Sequence, residues 1–488
     1  MTHSETDSDD TAIRDTPEPT RPAAAPAPGP TPTSATSGAF SWRFTAPLFV
    51  GSALNPINSS LIATALVPIA SAMHVSVGRT ATLVSALYLA AAIAQPTAGK
   101  IAEVFGPRRV FLGGILLVLV GGLVGGFATD LPVLIVSRVL LGLGTSCAYP
   151  TAMLLIRRRA TKVGLDAPPG SVLGGLQIAG VATASLGLPL GGVLVQIAGW
   201  RSVFFVNVPV ALIALVATVV WIPRDEPTPR QSTAQILSKL DATGILGFAC
   251  AMTALLLFLS SLPRASWTLL VATAAFWVAE VWWELRAKTP FFDIRVLISN
   301  AALTRTYLRY FLILLCSYIV LYGISQWIEV DRGVSELLTG MLLLPMTIVS
   351  GVVIPPIARR NLIRGPIIWS ALACLAAGAI ALLLPGSAWL AVTLILTVLL
   401  GFAVGAASAN QLALYGQAEP ELLGTASGLM RSFGYFGSIA SSAVTGIVFR
   451  NQVDDAGIKV IAAIMIGASV ILVAVSALDR TLRRTASD

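Results

Sequence analysis

Histidine is almost absent. His3 and His74 are the two in 488 residues, which leaves nothing for a histidine-based active site. The four cysteines, Cys147, Cys250, Cys316 and Cys374, all fall inside apolar stretches, at spacings that imply neither a disulfide framework nor a metal site. No G-x-x-x-x-G-K-[ST] loop occurs, which argues against ATP as the energy source, and no soluble ATPase domain is evident. Charge is also scarce, at 11% of residues. No cofactor and no metal is expected, and a polytopic membrane enzyme or sensor would need a catalytic cluster or an output domain that the sequence does not offer.

What is abundant is apolar. Hydrophobic residues make up 55% of the chain and its mean hydropathy is +0.81, the composition of a polytopic membrane protein. The net charge of +8 could suggest nucleic acid, but the bases are scattered over short loops, so topology explains them and no nucleic-acid partner is expected. Residues 1–43 are rich in Pro, Ala, Thr, Ser and Asp and read as a disordered tail. That tail lacks the basic and apolar regions of a signal peptide, so the first apolar run is expected to direct insertion.

Fourteen apolar runs follow, with approximate cores at 46–72, 81–101, 109–128, 131–155, 171–198, 203–222, 243–262, 266–285, 304–327, 336–357, 367–385, 388–413, 424–449 and 458–478. Each is roughly the 20 residues a bilayer requires, and backbone satisfaction in lipid makes them helices. Alternating sides place twenty Lys and Arg in one set of loops and six in the other. By the positive-inside rule this predicts a multi-pass cell-membrane protein with both termini cytoplasmic.

An internal repeat divides the chain. Gly170, Gly174, Gly180 and Gly192 in run 5 recur at a single offset as Gly424, Gly428, Gly434 and Gly446 in run 13. Corresponding runs lie eight apart. The expected fold is therefore all-α, with two pseudo-symmetric six-helix bundles and two inserted helices. The boundaries are a bundle over 44–222, a cytoplasmic linker over 223–241, the inserted pair over 242–298, the second bundle over 299–479 and a tail over 480–488. Repeated halves of this kind suit rocking about a midplane site.

Short motifs sharpen the reading. Residues 99–109, G-K-I-A-E-V-F-G-P-R-R, set one acid, Glu103, among Lys100, Arg108 and Arg109, between Gly99 and Gly106. At the membrane boundary that carboxylate requires a cation or a helix N-terminus. This loop resembles the signature loop of the major facilitator superfamily. L-I-V-S-R-V-L-L-G-L-G (134–144) is similar to the second drug-exporter motif, whose intramembrane Arg matches Arg138. G-L-P-L-G-G (187–192) resembles the antiporter motif, and Gly187, Pro189, Gly191 and Gly192 are its helix-packing residues. W-W-E-L-R-A-K-T-P-F-F-D (282–293) looks like the fourteen-span drug–proton antiporter branch. The resemblance covers residues 44 to about 480 and implies an exporter coupled to protons. One departure stands out: Asn58 occupies the position where that branch carries a first-span Asp, and an Asn cannot titrate.

Candidate roles follow. Arg431 is expected to pair with Glu103 across the two halves and, with Gly99, Lys100, Gly106, Arg108 and Arg109, to form a gate. Arg138 is either a cavity cation or a structural link to neighbouring carbonyls, Arg309 is expected to snorkel, and Glu329 is the first choice to replace the missing acid, ahead of Glu280 and Glu284. Candidate cavity residues are Asn55, Asn58, Tyr88, Tyr149, Gln177, Tyr322, Gln326, Asn410 and Gln411. Few polar groups among many aromatic and aliphatic ones suit an amphipathic organic substrate. The expected partners are a small-molecule substrate, protons and the lipid bilayer, with the chain a monomer. The alternative is an exporter of lipid or of an anionic natural product.

Overall fold

The computed structural model describes residues 40–75, 80, 82–165, 167–226, 240–261, 266–288, 290–291, 294–334, 336–449, 452–479 and 481–482. Residues 1–39 of the expected tail, 227–239 of the expected linker and 483–488 at the C-terminus lie outside them.

All regular structure among the described residues is helical. Helix occupies each of the fourteen apolar runs, and among the described residues nine segments are long and apolar enough to cross a membrane by length and composition. Run 1 is α1 (Trp42–Leu61) and α2 (Leu66–Ala72), joined by a 3₁₀ turn at Ile62–Ala65. Runs 2 and 3 are α3 (Thr82–Phe105) and α4 (Pro107–Gly126). Run 4 is α5 (Leu131–Ser146) continued by α6 (Ala148–Lys162), and run 5 is α7 (Gly170–Ala198). Run 6 is α8 (Ser202–Phe205) with α9 (Asn207–Trp221). The inserted pair is α10 (Ala242–Ser261) and α11 (Trp267–Glu284), followed by the short α12 (Ile294–Ser299).

The second half begins with α13 (Ala301–Ile319), which passes through a π turn at Val320–Ile324 into α14 (Ser325–Val330). Then come α15 (Glu336–Arg359), α16 (Arg364–Ala381), α17 (Trp389–Ala406) with α18 (Ala409–Gln417), α19 (Leu423–Val448) and α20 (Asp455–Ala477). Arg157, Arg158, Arg159 and Lys162 were expected in a loop. They instead extend α6 past the apolar core of run 4, with Arg159 and Lys162 in its last turn, where cations complement the helix dipole.

Local chemistry sets the helix starts. Asp130, Asn300 and Asp454 cap α5, α13 and α20 by accepting from the backbone N–H three residues on, at 2.9, 3.1 and 2.8 Å. The α3–α4 turn is a single residue, Gly106, at φ +98, followed by Pro107 at the first helical position.

The packing repeats as the glycine offset predicts. α1 packs along α7 in the first half, and α13 packs along α19 in the second. α3 packs on α5 and α15 on α17; α4 on α5 and α16 on α17; α9 on α4 and α20 on α16. Two pseudo-equivalent contacts join the halves, α3 against α19 and α7 against α15. The inserted pair packs on itself, and α10 lies across the α3–α19 seam.

Candidate functional site

The seam is tightest at the end bearing residues 99–109, called here the basic end. A Cβ at Gly99 would collide with the Gly424 carbonyl, and one at Gly428 with the Gln95 carbonyl, so α3 and α19 meet backbone to backbone. Glu103 crosses the seam. Its Oε1 accepts from the Thr425 backbone N–H at 2.7 Å and its Oε2 from the Thr425 hydroxyl at 3.0 Å. The expected Glu103–Arg431 pair is therefore corrected. Thr425 lies in the first turn of α19, whose N–H groups lack intrahelical partners and whose dipole favours an anion, while Arg431 lies six residues deeper.

The Gly106 turn and the first turn of α4, where a longer loop was expected, are held by a residue that the sequence reading passed over. Asp225 accepts from the backbone N–H groups of Arg108 and Arg109 at 3.2 and 3.0 Å, and pairs with Arg158 at 3.4 Å. Any side chain at Gly106 would meet that carboxylate. Lys100 donates to the Pro290 carbonyl at 3.2 Å, and Arg108 to the Val219 carbonyl at 3.0 Å. On the other seam, Gly170 and Gly174 abut Ala358 of α15, and the Tyr415 hydroxyl donates to the Met153 carbonyl at 3.0 Å. Backbone contact and side-chain bonds together close this end.

Farther along the seam a polar chain ties four helices. Gln95 Nε2 donates to the Tyr435 hydroxyl at 3.1 Å, Tyr435 donates to Asn55 Oδ1 at 2.7 Å, and Asn55 Nδ2 donates to the Thr145 hydroxyl at 2.9 Å. The Tyr88 and Tyr435 rings are 5.9 Å apart. Arg431 donates from Nη2 to Gln177 Oε1 at 2.9 Å, and its guanidinium stacks 3.9 Å over the Tyr149 ring. Of the expected cavity residues, Asn55, Tyr88, Tyr149 and Gln177 thus gather here with Arg431 and the unforeseen Tyr435.

The other arginines are treated differently. Arg138 is buried and donates to the Leu83 carbonyl at 3.1 Å and to the Asn58 carbonyl at 3.3 Å, the arrangement a structural link requires. Asn58 is itself buried, donating to Asn207 Oδ1 at 2.6 Å and to the Leu54 carbonyl at 2.9 Å. Arg309 does not snorkel; it is fully buried. It donates to Asp479 at 2.8 Å, Asn410 at 3.1 Å and Thr306 at 2.7 Å. Arg305 adds a second ion pair to Asp479 at 3.2 Å. Burial would raise the Asp479 carboxyl, but hydrogen bonds from Thr481 and Arg309 and the Arg309 charge outweigh it and hold its pKa below the usual value.

Some expected cavity residues lie elsewhere. Asn410 is fully buried and committed to Arg309, whereas buried Gln411 donates to Met153 Sδ at 3.2 Å and lines a narrow cleft with Gln177, Gly174 and Ser408. Gln326 is exposed at the far end. Tyr322 is 3.4 Å from the Ser438 hydroxyl. Glu329 is half-buried at the far end, where Arg332 pairs with Asp331 and Asp455. Glu280 and Glu284 are buried in α11 against Gly247 and Gly244 of α10, outside the seam. Gly187 does pack on α1, at Ser60, and Gly191 packs on Leu61 and on Thr64 of the 3₁₀ turn that follows. Gly192 does not, since a Cβ there would meet nothing within 4 Å, and the Pro189 side chain lies outside the described residues.

Asp225, Thr425, Tyr435 and Asp479 are the residues sequence reasoning missed. Only Asp479 left a local signal: an acid directly after the last apolar run, among Arg480, Arg483 and Arg484.

Comparison with known proteins agrees with this architecture. The chain is 31% identical over 443 residues to an uncharacterized MFS-type transporter, YwoD, of Bacillus subtilis (strain 168), covering 88% of this chain and 95% of that one. It is 29% identical to the tetracenomycin C resistance and export protein of Streptomyces glaucescens, covering 85% and 77%. The human organic anion transporter MFSD10 shares the fold at a TM-score of 0.62 and 18% identity, covering 89% of this chain and 99% of that one. The proton:xylose symporter XylE does so at 0.61 and 12%, covering 90% and 96%. The family model described as Major Facilitator Superfamily matches residues 48–442. With its repeated halves and a cross-seam carboxylate at the loop expected to carry one, the chain is a multi-pass membrane protein that belongs to the Major Facilitator Superfamily, a family of transporters rather than enzymes.

Proposed function

We propose that this protein exports hydrophobic or amphipathic small molecules across the cell membrane by alternating access, driven by proton antiport. In this reading all fourteen helical runs span the membrane, both termini are cytoplasmic and the chain works as a monomer. The basic end is then the cytoplasmic gate, formed by Gly99, Lys100, Glu103, Gly106, Arg108, Arg109 and their partners, and this conformation is the one closed to the cytoplasm.

The observation that carries the reading is the Glu103–Thr425 contact across the seam at that end. It is a small set of bonds at one end of two repeated halves, and its breakage is what a rocking motion requires. Relatives named for resistance and export, among them the tetracenomycin C protein, support the direction of transport. Glu329 remains the first candidate to carry protons, since Asn58 cannot. A second reading, export of a lipid or anionic natural product without a first-span acid, is favoured by Asn58, an amide at the position where the resemblance expects that acid.

The test is efflux from proteoliposomes with and without an imposed pH gradient. The proposal expects uphill efflux that collapses when the gradient is removed; downhill movement indifferent to the gradient would overturn antiport. Asn58→Asp places a titratable group at the buried position that now donates to Asn207 Oδ1 and is expected to strengthen the dependence on the gradient.

A further inference from the structure

Arg431 is the charged group that the gate leaves over. It sits eight residues into α19. Among the described residues no carboxylate lies within ion-pair distance, whereas Arg309 and Arg305 share Asp479 and Arg332 has two acids. The acceptor on Nη2 is the uncharged Gln177 amide, and Nε is enclosed without a hydrogen-bond partner among the described residues. A second donor stands beside it: the buried Tyr149 hydroxyl finds no acceptor among the described residues. A guanidinium and a phenol that both lack an acceptor of opposite charge are a site complementary to an anion.

The surroundings define the rest of the ligand. The Arg431 guanidinium already stacks on Tyr149, Tyr88 and Tyr435 pair at 5.9 Å, and Tyr318 and Tyr322 at 5.5 Å. Aromatic faces of this number favour a planar aromatic body. Arg431 belongs to the second half, while Gln177 and Tyr149 belong to the first, so its two contacts bridge the seam.

We propose that Arg431, Tyr149 and Gln177 form the binding subsite for the anionic group, a carboxylate or phenolate, of an amphipathic aromatic substrate. The anion takes the guanidinium from the Gln177 amide oxygen and accepts from the Tyr149 hydroxyl. In doing so it exchanges the direct Arg431–Gln177 bond between the halves for its own bonds to Arg431 and Tyr149, one from each half. This deepens the export reading and rests on it only for the direction of movement.

Two xanthene dyes of opposite charge separate the possibilities: anionic fluorescein and cationic rhodamine 6G. Their equilibrium binding is read by fluorescence polarisation on the full-length protein in nanodiscs at pH 7.5, with no gradient. Wild type is expected to bind fluorescein saturably and more tightly than rhodamine 6G. Arg431→Gln should weaken fluorescein by about 10- to 100-fold and leave rhodamine 6G within about twofold. Arg431→Lys, which keeps the charge and loses the fork, should fall between, and it controls for misfolding along with a thermal melt of each variant. Absence of saturable fluorescein binding to wild type, a preference for rhodamine 6G, or equal fluorescein binding to Arg431→Gln would overturn the subsite. The same dyes in proteoliposomes test the parent reading separately: fluorescein bound through Arg431 but not moved would leave the subsite standing and remove the exporter.

Discussion

Arg309 and Arg431 each sit eight residues into a helix of the second half, on two helices that pack against each other, yet they are housed in opposite ways. Arg309 is fully buried among Asp479, Asn410 and Thr306, with its charge paired to a carboxylate. Arg431 is half-buried between two halves of the molecule, with an amide, an aromatic face and, among the described residues, no acid. A cation in a low-dielectric interior requires compensation. Where it is supplied internally the residue is structural, and where it is withheld the site is left to complement something that comes and goes.

That contrast is most easily broken at Asp479. Asp479→Asn leaves Arg309 buried beside a neutral amide and should cost about 3–5 kcal/mol, seen as a large fall in melting temperature. The pH dependence carries a definite sign. The native Asp479 carboxyl titrates below its ordinary value, so its contribution is complete above about pH 4 and is lost as pH falls through the lowered native value. The difference in melting temperature between wild type and Asp479→Asn should therefore shrink under acid, and a difference that grew would contradict a stabilising Arg309–Asp479 pair.

Glu103→Ala should have an intermediate effect. It removes two hydrogen bonds to a charged group and should weaken the closed basic end by about 1.5–3 kcal/mol, seen as faster labelling of a single cysteine replacing the adjacent buried Ala426. The smallest effect on stability is expected at Arg431. Arg431→Gln loses the Gln177 bond and the Tyr149 stack but also removes an uncompensated charge, so its melting temperature should correspond to within about 1 kcal/mol of wild type. A loss as large as that of Asp479→Asn would erase the distinction between the two arginines.

The sequence made the fold legible because membrane helices announce themselves by length and composition, and because four glycines at one offset exposed the duplication. It also singled out Gly99, Glu103 and Gly106 together, although Gly99 and Glu103 lie in the last turns of α3 and Gly106 alone forms the turn expected to be a longer loop, and it offered a helix N-terminus as one partner for the carboxylate. The choice of Arg431 instead of Thr425 failed for a physical reason. A helix terminus presents backbone N–H groups, which no residue letter reveals, while an arginine is conspicuous. Asn410 was misplaced for a related reason: a polar residue in an apolar helix looks the same whether it faces a cavity or satisfies a buried arginine. Tyr435 went unnoticed because its value lies in Gln95 and Asn55, far away in the chain.

The central claim is that one seam, sealed at the basic end by Glu103 on Thr425, opens as the other end closes. The most direct test uses paired spin labels in a background lacking Cys147, Cys250, Cys316 and Cys374. Cysteines replacing Thr161 and Arg360 report the basic end, and cysteines replacing Ala198 and Ser387 report the other. All four positions are exposed. With Glu103→Ala added, the account predicts that the first distance lengthens while the second shortens. Lengthening at both ends, or no change at either, would contradict it.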